Sequence, residues 1–343
     1  MTALVTGATG FVGSHILGAL LDRGETVRAL VRDPKKAQVL RDRGVEVMEG
    51  DLLDPASLGA AVSGAGPIYH CAAAVGPERS AKEIIETNLT GVRRLCDAVS
   101  TAKAGRIVLL SSINVLGTRH IDPATEDLPC CRSHDPAADV KIDAEQVALE
   151  KSRQGQIDVV ILRPGLIYGT GDSHNLPTLA DSIRKGKFAF IGSRHNIVPL
   201  VHVADVAQAM VLAGAAPGVS GRIYHVSDGS RTTIGDLVDL IARLQGCPGP
   251  RRVVPFFLAH LICIAFELRG RLGPMLIKPP ISRAGLRFVG TSRFVDISRA
   301  RIELGYEPSI SYREGVAAAL QRIPNEHLAR AAHVPNPTCH ESA

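Results

Sequence analysis

Gly7, Gly10 and Gly13 stand three residues apart in TGATGFVG, between the apolar run ALVT and a helix-like stretch that begins at Val12. Glycine at these points permits a tight turn and lets a ligand approach the backbone closely, so a pyrophosphate can rest on the N-terminus of the following helix. Thr9, Phe11 and Val12 complete this candidate binding segment. A tight turn without a ligand is the competing reading, and no G-x-x-x-x-G-K-[ST] sequence is present to indicate a P-loop. At the end of the next apolar run the chain reads LVRDPKK, which puts Arg32 where a site for NAD would place a carboxylate. Arg32, Lys35 and Lys36 suit the 2′-phosphate of NADP through charge-assisted contacts. The expectation is therefore NADP(H); Asp33 keeps NAD(H) open, and a solvated basic turn is the bland alternative. Asp51 and Leu52 close a third apolar run, where the Asp can meet an adenine amino group or simply cap a helix.

The elements that must hold these residues alternate. ALVT, ETVRALV, VEVMEGD, PIYHCAA, RIVLLSS and DVVILRP read as strands; Val12 to Arg23, Lys36 to Arg43, Lys82 to Ser100 and Asp143 to Ser152 read as helices between them. Near-continuous Val, Ile and Leu strands separated by helices predict a parallel sheet covered on both faces, a doubly wound α/β (Rossmann) fold. After Pro164 the alternation weakens. The expected organisation is a dinucleotide-binding domain over 1–165 and about 199–226, a smaller, discontinuous substrate domain over about 166–198 and 227–323, and a surface tail over 324–343. VPLVHVADVAQAMVLAG reads as a strand end and a helix with Asp205 near its start.

The 343 residues are 45% apolar and 21% charged, with a net charge of +5 spread along the chain. That composition describes a folded globular protein and offers no basic stripe for nucleic acid. Seven cysteines, Cys71, Cys96, Cys130, Cys131, Cys247, Cys263 and Cys339, form no C-x-x-C pair, so no metal site is expected and reduced thiols in a cytoplasmic chain are. Vicinal Cys130 and Cys131 are read as incidental. The opening residues leave no room for an export signal ahead of the first strand. The longest apolar stretch, Val253 to Phe266, is too short to span a bilayer. A buried or subunit-contacting helix is the leading reading, which leaves a homodimer open; a monotopic membrane contact and the wall of an apolar substrate pocket are the others.

Taken in order, TGATGFVG, VRDP, GDL, HCAA, TNLTGV, SSINVLG, KIDAE, LRPGLIYGTGD, PLVHVADVA and FVDISRARIELGYEP resemble the extended short-chain dehydrogenases/reductases. The resemblance covers about 310 residues. Its nearest branch is that of the 3β-hydroxysteroid dehydrogenases and dihydroflavonol reductases. It implies a Ser, a Tyr and a Lys as the catalytic set. Ser112 matches the Ser and Lys141 the Lys, but the position four before Lys141 is Ala137 where the family has Tyr. Residues i and i+4 share a helix face, so in the family pattern the ammonium lowers the phenol's pKa and also reaches the nicotinamide ribose. Ala137 can neither donate nor accept that proton.

The resemblance further implies that Pro164, Gly165 and Ile167 hold the nicotinamide carboxamide and that Ala72 and Ala73 lie beneath the cofactor, with core packing as the alternative for the two alanines. Asn88 matches a buried family Asn expected to be structural. The expected activity is hydride transfer between NADP and a ketone, aldehyde or secondary alcohol of an apolar small molecule, impaired by Ala137. Three alternatives stand beside it: an enzyme using His134 or Asp135 as acid or base, a nucleotide-sugar epimerase or dehydratase, and a non-catalytic NADP-binding regulator. Against the epimerase stand the lack of an Asn in LRPGLIYGTGD and the apolar Val253 to Phe266 stretch.

Overall fold

Seven strands, β1 (Thr2–Thr6), β2 (Val27–Val31), β3 (Glu46–Glu49), β4 (Ala65–His70), β5 (Ile107–Leu110), β7 (Val159–Pro164) and β11 (Ile223–Val226), lie parallel in one sheet. Their order in the computed structural model is β11-β7-β5-β4-β1-β2-β3. The residues described are 1–76, 79–117, 121–133, 135–271, 286 and 290–322. The doubly wound parallel sheet read from the sequence is thus the fold, and the strand order reverses between β1 and β4. At such a switch point the loops leaving the carboxyl ends of neighbouring strands part and open a crevice for a ligand.

Burial on both faces explains why the strands carry so few polar residues. Leu4, Ile68, Ile107, Leu109 and Ile161 face one cluster with α3 (Pro55–Val62), α5 (Gly91–Ala102) and α6 (Pro136–Arg153). Their neighbours Val5, Tyr69, Val108 and Leu162 face the other, with α1 (Phe11–Asp22) and α8 (Val203–Ala215). Side chains alternate across a strand, so each strand supplies both layers.

The second region is built on small parallel pairs. β8 (Leu166–Tyr168) pairs with β10 (Leu200–His202), and β9 (Phe190–Ile191) pairs with β12 (Val253–Val254). Its core gathers Tyr168, Leu176, Phe190, Leu237 and Ile241. Asp205, buried at the start of α8, accepts hydrogen bonds from Ser309 N and Oγ at 3.0 and 3.1 Å, tying the late chain to the sheet layer. The 324–343 segment, read as a surface tail, lies outside the described residues.

α6 begins seven residues earlier than the periodicity around Asp143 suggests. Asp135 caps it by accepting from Ala137 N at 3.1 Å, and Pro136 occupies the first turn, where its missing N–H costs nothing. That start puts Ala137 and Lys141 one turn apart on the same helix.

Candidate active site

The β1–α1 loop is a cradle that side chains would fill. Gly7 has φ +72°, and a Cβ there would sit 2.6 Å from Ala72 N at the end of β4. A Cβ on Gly13 would run into the Gly7 carbonyl, so glycine at 13 lets α1 close on the loop. Gly10 N donates to Gly7 O at 2.9 Å and ends the turn. No side chain caps α1, and its first turn holds no acid, so its leading amides present partial positive charge beside exposed Thr9 and Gly10. Phe11 and Val12 are half-buried behind them. Backbone free to receive a pyrophosphate, with no side chain in the way, fits a dinucleotide.

Arg32, Lys35 and Lys36 are all exposed at the end of β2. The carboxylate of Asp33 caps the helix that follows, accepting from Lys35 N at 3.0 Å. Asp51 accepts from Leu53 N at 2.8 Å and stands 3.8 Å from the Arg32 guanidinium. The Leu52 side chain is buried in the sheet layer with Leu58 and Leu95, which leaves only its backbone for a ligand.

Lys141 reaches from α6 to the end of β5, where its ammonium donates to Leu110 O at 3.0 Å and Ser111 O at 3.4 Å. Burial pulls its pKa down, against the opposing pull of Glu145. The cavity it enters is lined also by His70, Ala72, Ala73, Asn88 and Ser111. Burial holds His70 at about 4 and pushes the Cys71 thiol up to about 12, so beside the ammonium both are neutral at pH 7. Ser112 follows Ser111 directly; its Oγ accepts from Asn114 N at 3.2 Å, which leaves the hydroxyl proton to donate. Ala137 is half-buried in the first turn of α6. Asp135, one of the two substitute acids, has a carboxylate engaged in the helix cap; His134 lies outside the described residues.

Two residues that hold the site went unrecognised in the sequence reading. Glu145, one turn past Lys141, accepts from Arg163 Nε at 3.0 Å and Nη2 at 2.6 Å, and from Ser111 Oγ. This buried pair fastens α6 to β7 and β5 and so fixes the height of Lys141. Their signal was the Glu in KIDAE and the Arg in LRP. Asn88 holds the other wall: its amide accepts from Ala74 N at 2.7 Å and donates to Ala74 O at 2.9 Å. It stands in a one-turn π segment, Glu86–Thr90, between two helical stretches.

Pro164 ends β7, Gly165 N donates to Val226 O at 2.9 Å, and Ile167 pairs with Val201; none of the three lines the Lys141 cavity. A Cβ on Gly165 would strike the Pro199 carbonyl. One expectation fails. Among the described residues, none of 253–265 lines the Lys141 cavity. They form β12 and the helix α10 (Phe256–Arg271), which packs on Ile191 and Leu286. The strand pairing of β12 with β9 carries the stretch into the second region. The argument against an epimerase that used this stretch as a pocket wall therefore falls.

A sequence model described as the NAD dependent epimerase/dehydratase family matches residues 3–227. Sterol demethylase protein B of Methylococcus capsulatus is 31% identical over 320 residues, covering 90% of this chain and 94% of that one. A 4-hydroxy-2-methyl-3-oxo-4-farnesyl-3,4-dihydroquinoline-1-oxide ketoreductase of Stigmatella aurantiaca is 29% identical, covering 94% and 97%. Among solved structures, the dTDP-glucose 4,6-dehydratase DesIV of Streptomyces venezuelae, with NAD bound, superposes with a TM-score of 0.75 at 26% identity, covering 94% of this chain and 96% of that one.

Proposed function

Since the chain belongs to the NAD dependent epimerase/dehydratase family, we propose that it is an oxidoreductase that binds NADP(H) and reduces a ketone or aldehyde, or oxidises the matching alcohol, of an apolar small molecule. The observation that carries this reading is the Lys141 ammonium, held by Leu110 O and Ser111 O in a cavity at the ends of β4 and β5, beside the glycine cradle. Reductase and sterol dehydrogenase relatives support redox chemistry at a carbonyl or alcohol and an apolar substrate. Gly7, Gly10 and Gly13 would seat the pyrophosphate; Arg32, Lys35 and Lys36 would take the 2′-phosphate; Pro164, Gly165 and Ile167 would hold the carboxamide. Bound there, the nicotinamide supplies or accepts the hydride.

The chain's own groups orient and polarise. Lys141 has three N–H donors and spends two on carbonyls, which leaves one for a ribose hydroxyl or a water. The Ser112 hydroxyl donates to the substrate oxygen and places it. Ala137 supplies no proton, so protonation of that oxygen falls to solvent or to the Lys141 ammonium, and turnover is slow. A second reading, a cofactor-binding protein without catalysis, is favoured by Ala137 alone. Titration of NADPH and NADH by fluorescence, together with NADPH oxidation over a panel of hydrophobic ketones and aldehydes, tests both. Tight NADPH binding with slow, substrate-dependent oxidation is expected. Absence of binding defeats both readings, and binding without any turnover leaves the second.

A further inference from the structure

α10 turns an apolar face to solvent. Phe257 is 67% exposed and Leu261 56%, with Leu258 and Ile262 beside them. Positions 257, 258, 261 and 262 follow one another at helical spacing and form a single stripe. The opposite side of the helix carries Ala259 and Cys263, buried against Ile191 and Leu286, and Phe256 stacked on His260. The helix is therefore anchored through one face while an equally apolar one is left over. Val253, just before it, is exposed as well.

Along the stretch of chain that leads into this stripe the charges are of one sign. From Leu240 to Phe266 the chain has no Asp or Glu but carries Arg243, Arg251 and Arg252. Arg251 and Arg252 are exposed, and their side chains meet no carboxylate among the described residues. Phe190 lies opposite Val253 in the parallel β9–β12 pair, so exposed Lys187 enters beside these arginines. A cationic rim beside an apolar stripe on a helix anchored from behind is the arrangement of an interfacial helix. Among the described residues, no helix is long and apolar enough to cross a membrane, so α10 would lie in the plane. In a two-fold contact through this stripe the flanking arginines of two copies would face one another, so a second copy is the poorer match.

We propose that the exposed face of α10, with Arg251, Arg252 and Lys187, docks this chain on the surface of a bilayer containing anionic lipids. Phe257, Leu258, Leu261 and Ile262 enter the acyl boundary while the cations meet the phosphates. This surface is separate from the Lys141 cavity, and its test does not depend on turnover.

The experiment is co-sedimentation of the full chain with vesicles of phosphatidylcholine alone and of phosphatidylcholine with phosphatidylglycerol. Binding to the anionic vesicles should exceed binding to the neutral ones by about tenfold or more and weaken in 1 M salt, where the Debye length falls to about 3 Å. Leu261→Glu, Phe257→Gln and the pair Arg251→Glu with Arg252→Glu should each reduce it about tenfold, with thermal unfolding unchanged because these side chains are exposed; Phe257→Gln serves should Leu261→Glu disturb the fold. No binding to anionic vesicles, or equal binding by the folded variants, would overturn the proposal. So would a concentration-dependent dimer that Leu261→Glu dissolves, since a second copy would then own the stripe.

Discussion

Arg163 grips Glu145 through two nitrogens, with Nη2 2.6 Å from Oε2, and the pair is 3% and 2% exposed. The ionic pair lies where β7 meets α6, one helical turn beyond Lys141. Removing one partner strands a buried charge, so Glu145→Gln or Arg163→Met should cost about 3 to 5 kcal/mol. Replacing both with apolar residues should cost much less. Urea unfolding of the singles and the double measures this, and the double should regain stability without regaining cofactor affinity if the pair also sets the height of Lys141.

Restoring a phenol at 137 should separate binding from turnover. Ala137→Tyr puts an acid one turn before Lys141, and a positioned acid is worth on the order of 10² to 10⁴ in rate. The glycine cradle and the basic cluster do not involve this position, so NADPH affinity should stay constant. Steady-state kinetics with a parallel fluorescence titration checks both halves. A parent chain already turning over at rates typical of enzymes, with no gain from Tyr, would show that another proton donor operates.

Cofactor choice should rest on Arg32. Asp33 spends its carboxylate on a helix cap, which leaves no acid turned to the adenosine ribose at the end of β2. Arg32→Asp should therefore invert a preference for NADPH over NADH, read by calorimetric titration of each. Equal affinity for both in the parent chain would refute the assignment.

Acid should unfold this chain earlier than its carboxylates alone would dictate. Burial holds His70 and His225 at about 4 in the folded chain, against an ordinary 6.5. Between those values the unfolded chain binds more protons, so stability falls as pH drops through the window and is unaffected by these groups above it. Each can contribute at most about 3 kcal/mol. Denaturant midpoints measured from pH 7 to pH 4 should show the decline, and His225→Gln should flatten part of it.

What was legible in the sequence was local or periodic. The glycine cradle could be read because only glycine tolerates a turn that passes so near Ala72, and the sheet because both its faces are buried. The true start of α6 was legible in Pro136, which suits a first helical position and puts Ala137 one turn before Lys141, although the apolar rhythm strengthens only near Ala144. Glu145 and Arg163 meet across 18 positions, and nothing in either segment names the other. The stretch Val253 to Phe266 announced its apolar character but not its neighbours: periodicity tells a helix which side to bury and does not say against what.

The parallel sheet also sets an order of events in time. β11 completes the edge beside β7, but it emerges roughly sixty residues after Pro164, once the first parts of the second region have been made. At about 5 to 20 residues per second, a nascent chain would hold β7 as an open, mostly apolar edge for ~3 to 12 s. An unpaired edge of that kind recruits other strands. Fragments ending near residue 165 should accordingly aggregate, while those extended past Val226 should not, so the smallest fragment holding this sheet in solution should include the segment between β7 and β11.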